Sequence, residues 1–492
     1  MKKYIYIITA AVTLSSCGIY TKFTTPETKV ENLAGEGVEL PDSALVALPS
    51  WEEYFTDAQL REYITMALES NSDLQITQLN VSQAERGVRT SRLAYLPTIA
   101  FSPEGSISGL AGGTSIKSYT IPITAGWELD LFGRKYNTKH QALSVLAQSK
   151  EQERLVKTQL VAGVATSYYA LILADEQLRI SNRSLEILQE TLSAQESLKE
   201  VGMQTQLSVE QTKASLDSFK LTIKDIEKNI SLLESNLCML LNITPRHLAR
   251  AKGFSYAAPI EGAISLSALS NRPDVRYAEM LLAQSFYSEN YARSAMYPSI
   301  SLGGSVGWTN YFGVILDPAE FLLSAIGSLT QPIFAGGANR ANLQNAKDRY
   351  EQQLITFEKS LLTAGKEVND ALIEIQNAKD KESLSASQIK SLQSAVEISR
   401  ELMAGGKSNY LEVLVAQNSY LTAQLSGAAI NYASAIAQID LIKLWAEAIS
   451  ACPKLFTIGR VYPLLSHLHL HLGFWCCYLL YSITSPFFPF YG

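Results

Sequence analysis

Two kinds of hydrophobic spacing alternate along this chain. The first has period two: Tyr119, Ile121, Ile123, Ala125, Trp127, Leu129 and Leu131 are interleaved with Thr120, Pro122, Thr124, Gly126, Glu128 and Asp130. Such alternation predicts a strand with one apolar and one polar face. Ile99, Phe101 and Ile107 give a shorter copy, and Ile300, Leu302, Val306 and Trp308 alternate with Ser299, Ser301, Ser305 and Thr309. The segment from Phe321 to Phe334 alternates poorly and is the weakest of four predicted strands. A membrane barrel needs this contrast between lipid and water, and ordinary sandwich strands show it too.

The second spacing is helical. Leu216, Phe219, Ile223, Ile226, Ile230, Leu233, Leu237 and Leu240 step by three and four, which is a coiled-coil seam. Leu421, Leu425, Ala428, Tyr432, Ala435, Ile439 and Ile442 form a counterpart whose alanines suit a closely approaching helix. Residues 136–200 hold no proline and only Gly163, and residues 338–404 only Gly365. A helix of about 65 residues rises about 97 Å, too long for a compact globular domain. Pro97 and Pro298 predict turns from helix into strand, and Gly133, Gly336 and Gly337 the tight return. Pro273 and Asp274 suit a helix N-terminus.

The chain says nearly the same thing twice. Leu96-Pro97-Thr98-Ile99 recurs as Tyr297-Pro298-Ser299-Ile300, and the break at Gly202, before Leu207 and Val209, recurs at Gly406, before Leu411 and Val413. Two related halves are joined near residues 245–275. Each supplies two strands, and four strands cannot close a barrel, because the smallest membrane barrels use about eight. An open sheet in lipid leaves backbone groups unsatisfied at its edges. The chain must therefore assemble, and three copies give about twelve strands above a tube of long helices.

Composition narrows the chemistry. The 492 residues are 47% hydrophobic and 18% charged, with a mean hydropathy of +0.04, which excludes a disordered chain and a helical membrane bundle. A net charge of −6 leaves no basic excess for nucleic acid. Five cysteines exclude a disulfide framework, and Cys238 reads as a small core residue. Only His140 and His247 lie before the last forty residues, with no nucleophile–base pattern and no phosphate loop. Neither an enzyme nor a cofactor is expected.

Both ends differ from the middle. Lys2-Lys3, an apolar run from Tyr4 to Leu14 and Ser15-Ser16-Cys17 read as a secretory leader too short to span a bilayer. Leu14-Ser15-Ser16-Cys17 resembles a bacterial lipobox, with Cys17 as the acylated first residue of the mature chain; a plain signal peptide is the other reading. Residues 452–492 contain no Asp or Glu, but hold Cys452, Cys476, Cys477, His467, His469 and His471. Pro463 and the histidines argue against a membrane helix there. A metal site lacks supporting residues around it. We expect residues 451–492 to be a tail outside the native fold.

Five motifs in order carry a family resemblance over roughly residues 17–450. They are Trp127-Glu128-Leu129-Asp130-Leu131-Phe132-Gly133-Arg134, Asn271-Arg272-Pro273-Asp274-Val275-Arg276, Tyr297-Pro298-Ser299-Ile300-Ser301-Leu302, Gln331-Pro332-Ile333-Phe334 and Ser408-Asn409-Tyr410-Leu411-Glu412-Val413-Leu414-Val415-Ala416-Gln417. With them the chain resembles the TolC-like outer-membrane factors, in the NodT-type lipoprotein branch paired with resistance-nodulation-division pumps. The resemblance implies an α+β fold: a trimeric twelve-stranded β-barrel on an α-helical coiled-coil barrel with an equatorial collar. It divides the chain into a signal peptide (1–16), a lipidated tail with equatorial helices (17–90), repeat 1 (91–245), an inter-repeat equatorial segment (246–290), repeat 2 (291–450) and the anomalous tail (451–492).

It further implies a passive exit channel of a tripartite efflux pump. The partners would be two further copies of the chain, a periplasmic adaptor, an inner-membrane transporter and outer-membrane lipid. The helix–turn–helix tips at Gly202-Met203 and Gly405-Gly406-Lys407-Ser408 would meet the adaptor. Leu411 would form an apolar ring at the pore, Glu412 an acidic one, and Val415 stands where many members carry Asp. Met403 and Ser408 replace a Tyr and an Arg that lock other members shut, so the aperture is expected to close by apolar packing. Leu411 and Val415 as ordinary seam residues is the plainer reading. Type I protein secretion and metal-ion export fit the same channel. A coiled-coil scaffold lipoprotein is the non-channel alternative, and the amphipathic strands argue against it.

Overall fold

The computed structural model describes residues 20–27, 51–109, 116–254, 269–309, 320–408 and 410–449. Cys17 and the tail with its histidines lie outside the described residues. Among the described residues three helices come first: α1 (Trp51–Tyr54), α2 (Ala58–Ser70) and α3 (Ser72–Leu93). Asp57 caps α2 by accepting from the Gln59 amide at 2.8 Å, and Asn71 caps α3 by accepting from Asp73 at 3.0 Å and Leu74 at 3.1 Å. Strands β1 (Thr98–Phe101), β2 (Glu104–Ser108) and β3 (Ile116–Leu129) follow, then helices α4 (Arg134–Glu200) and α5 (Gln206–Leu240).

The order then repeats. Helix α6 (Pro273–Ser294) leads into β4 (Ser299–Thr309), β5 (Glu320–Thr330), α7 (Ala338–Ala404) and α8 (Tyr410–Ile449). Helices α3 and α6 are each 22 residues long, and α4 and α7 each 67. Sixty-seven residues rise about 100 Å. The long helices start where expected, at left-handed glycines: Gly133 at φ 69° and Gly337 at φ 83°. Pro273 is the first residue of α6, and the Asp274 carboxylate accepts from the Val275 amide at 2.8 Å.

One antiparallel sheet holds all the strands, in the order β1/β2–β3–β4–β5. Strands β1 and β2 pair with β3 in one continuous register, Thr98 opposite Gly126 and Glu104 opposite Thr120. They are one strand interrupted where Pro103 lacks an N–H to give; beside it, Ser102 still donates to the Pro122 carbonyl at 3.3 Å. The segment that alternates poorly is a full strand, β5, paired with β4 over its whole length. Its Ile326 breaks the alternation by falling on the polar face, opposite Gly303.

The helices follow the order of the strands. Helix α4 packs against α3, α5 and α6, and α6 packs against α7. Helix α8 approaches α7 closely at Gly427, where a methyl group would lie 2.8 Å from Ile389 Cδ1. The main core lies where α2, α4, α5 and α8 meet, around Phe55, Ile64, Tyr168, Tyr169, Leu237 and Ala435. Cys238 is buried in it. Both predicted seams are partly or fully buried.

Candidate channel wall and aperture

Register gives the sheet two unlike faces. Ile121, Ile123, Ala125, Trp127 and Leu129 of β3 lie opposite Trp308, Val306, Gly304, Leu302 and Ile300 of β4. These in turn face Phe321, Leu323, Ala325, Gly327 and Leu329 of β5. The apolar row is open to solvent in one copy, with Ile99, Phe101, Leu323 and Leu329 among its most exposed members. The other face is built of hydroxyls that meet across strands. Ser106 and Ser118 are 2.7 Å apart, Thr120 and Thr309 3.2 Å, Ser305 and Ser324 2.7 Å, and Ser301 and Ser328 2.6 Å. Such pairs stabilise the sheet without charging it, and they would line a water-filled bore.

The first motif ties sheet to helix residue by residue. Trp127 Nε1 donates to the Tyr95 carbonyl at 2.8 Å, and Glu128 meets Arg134 at 3.4 Å. The Asp130 carboxylate caps α4 by accepting from the amides of Lys135 at 3.0 Å and Tyr136 at 2.7 Å. Phe132 stacks on Tyr297 of the second half, their centroids 5.0 Å apart. In that half Gln331 Nε2 donates to the Met296 carbonyl at 3.2 Å, standing in for Trp127.

Three ties, one at this junction and two farther along the helices, carry no periodic signal, and sequence reasoning missed them. Residues 20–27 run as a strap along α6. The Tyr20 hydroxyl donates to the Asp130 carbonyl at 2.8 Å and accepts from the Gly133 amide at 3.0 Å. Burial and the nearby Asp130 raise its pKa to about 12. Phe23 N donates to the Tyr287 hydroxyl at 3.1 Å. Arg250, nearly buried, joins Asp175 of α4 (2.8 Å) to Glu234 of α5 (2.5 Å). Arg272 of the second motif, also buried, joins Asp274 at 2.7 Å to Glu367 of α7 at 2.6 Å.

Far from the sheet, both tips are the same Schellman turn. Gly202 has φ 74°, its amide donates to the Lys199 carbonyl, and the Met203 amide donates to Leu198, both at 2.9 Å. Gly406 has φ 67°; its amide meets the Met403 carbonyl at 3.0 Å and the Lys407 amide meets Leu402 at 2.9 Å. Gly405 keeps an ordinary negative φ, so Gly406 makes the turn. Met203, Gly405, Gly406 and Lys407 are exposed, and Ser408 Oγ donates to Glu412 Oε2 at 2.6 Å.

Just past the second tip, α8 separates two sets of side chains. Tyr410, Val413 and Leu414 are buried, whereas Leu411 is 54% and Val415 57% exposed, with Glu412 exposed between them. Leu411, Glu412 and Val415 therefore share an outward face and take no part in the seam within the chain.

An amphipathic four-stranded sheet, joined without a break to paired helices about 100 Å long, defines a subunit of a channel wall. A family model described as "Outer membrane efflux protein" matches residues 63–242 and 265–447, and the chain belongs to that family of outer-membrane channels. It is 28% identical over 397 residues to the cation efflux system protein CusC of Escherichia coli O157:H7, covering 80% of this chain and 86% of that one. The probable outer membrane lipoprotein SilC of Salmonella typhimurium is 27% identical over 398 residues, covering 80% and 86%. A crystal structure of CusC superimposes with a TM-score of 0.77 at 27% identity, over 85% of this chain and 99% of that one.

Proposed function

We propose that three copies of this chain form the passive outer-membrane exit duct of a tripartite efflux pump, gated at its periplasmic end. One observation carries this reading: the chain has two open edges that run the full length of both layers. In the sheet these are β1/β2 and β5. In the helices one flank is α3 and α5, with Ile76, Leu79, Leu221, Leu232 and Met239 exposed. The other flank is α7, with Ile355, Leu362, Ile373, Leu384 and Ile398 exposed. The α7 residues recur at intervals of seven, eleven, eleven and fourteen residues, which keeps them on one stripe of the helix. Unlike edges at opposite ends of one layer associate head to tail and close a ring.

In that ring the hydroxyl face lines the bore and the apolar face meets lipid. The tips carrying Gly202, Met203, Gly405, Gly406, Lys407 and Ser408 dock an adaptor that links the duct to an inner-membrane transporter. Leu411, Glu412 and Val415 form the aperture, and Cys17 carries the lipid. Tyr20 supports that last assignment: it pins the chain three residues beyond Cys17 to the turn where sheet meets helix, within about 11 Å of it along an extended chain. The cargo is a drug or other small molecule. Export of metal cations is a second reading, favoured by the cation efflux named for CusC.

Deletion of the chromosomal copy tests the pump role. Sensitivity to drugs and dyes should rise and return to normal on complementation; sensitivity to copper or silver salts alone would select the second reading. An unchanged profile against both would oppose a pump role.

A further inference from the structure

The internal repeat copies a contact as well as a fold. Helices α3 and α6 begin at Ser72 and Pro273, 201 residues apart, and have one length. Helices α4 and α7 begin at Arg134 and Ala338, 204 residues apart, and also match in length. Inside the chain α4 leaves the sheet and α6 leads into it, and side-chain amides tie the two. Gln141 Nε2 donates to the Tyr287 carbonyl at 3.1 Å. Gln148 Nε2 donates to the Met280 carbonyl at 3.1 Å and to Gln284 Oε1 at 2.9 Å. The contact is closed to water, with Gln148 8% and Met280 9% exposed.

The repeats of these residues stand on the two open flanks. Gln352 of α7 occupies the place of Gln148, and Leu79 and Gln83 of α3 occupy the places of Met280 and Gln284. All three are exposed. One turn farther along, the same register sets Ile355 of α7 opposite Ile76 of α3. Neither residue was needed to find the register, yet both are large apolar side chains left in the open, 59% and 56% exposed. We propose that α7 of one copy packs on α3 of the next in the register that α4 keeps with α6 inside each copy. Gln352 Nε2 then donates to the Leu79 carbonyl and the Gln83 side chain of the next copy, and Ile355 covers Ile76. Apolar stripes alone tolerate slippage, whereas a slipped helix would shut Gln352 away from water with nothing to bond. The inference rests on the ring proposed above and names the surface by which each copy recognises the next. An adaptor lying along this flank is the rival occupant.

Cross-linking of the full-length protein tests the register. Chains carrying both Ile76→Cys and Ile355→Cys, treated with a short bismaleimide, should give covalent dimers and trimers that survive heating. Each single substitution should give none. Ile76→Cys with Ile373→Cys is the out-of-register control, its second cysteine about 27 Å farther along α7, and should also give none. Cross-links in the control alone, or in neither pair, overturn the register. Gln83→Ala and Gln352→Ala should each lower the temperature at which the trimer dissociates on gels. The double variant should lower it no further, because either change breaks the same tie. Additive falls, or no fall, overturn the amide clasp. A trimer that cross-links as expected yet passes no current in planar bilayers would strike the channel reading and leave the register standing.

Discussion

His140 shows how one side chain makes the level below the sheet sensitive to acid. It is sandwiched between Tyr136, at 4.3 Å, and Tyr287, at 4.8 Å. Burial, reinforced by Lys139 and Lys22, lowers its pKa to about 4. The unfolded chain takes up a proton near pH 6.5, well before the folded one does. Between pH 6.5 and 4 the unfolded state therefore binds more protons, and stability falls as pH falls. Thermal unfolding followed by circular dichroism should show a lower midpoint at pH 4.5 than at pH 7. His140→Phe should flatten that dependence, and an equal fall in the variant would contradict the assignment. At the aperture, Leu411→Ala and Glu412→Ala should each raise single-channel conductance, because both side chains face away from the seam. Unchanged conductance in both would remove them from the gate.

At the scale of elements, the long helices and three strands were legible because their periodicities hold, even across the break at Pro103 between β1 and β2. Strand β5 was not, because Ile326 sits over Gly303 on the polar face. The strap from Tyr20 to Glu27, and the clamps made by Arg250 and Arg272, depend on partners distant in sequence, so no local spacing announces them. The exposed side of α8 past the tip became clear only when Tyr410, Val413 and Leu414 were seen to be buried. The sheet also holds a sharp test in its glycines. A methyl group on Gly307 would lie 2.6 Å from Pro122 Cα on β3, whereas one on Gly303 would meet nothing nearer than the Ile326 carbonyl at 3.9 Å. Gly307→Val should abolish the heat-sensitive trimer band on gels of outer membranes, and Gly303→Ala should leave it. Loss of both, or of neither, would contradict the close approach of β3 and β4. Arg250→Ala leaves the mostly buried Glu234 without its guanidinium, while Asp175 turns to water, and should lower stability by about 2 kcal/mol, read from denaturant midpoints; a loss under about 0.5 kcal/mol would make the clamp a surface ion pair.

For the whole molecule, the nearly neutral mean hydropathy of +0.04 follows from the architecture. Only one face of each strand must suit lipid, and the helices stand outside the bilayer. A single copy leaves that face, both sheet edges and the stripes on α3, α5 and α7 uncovered; the proposed ring would cover the edges and stripes and leave the face to lipid. The central claim is that the ring is a conduit, and electrical recording from the purified, unheated trimer in a planar bilayer tests it most directly. The account predicts discrete current steps that disappear when the same sample is heated to monomers before addition. A stable trimer that inserts into the bilayer yet passes no current, in the wild type and in Leu411→Ala alike, would contradict it.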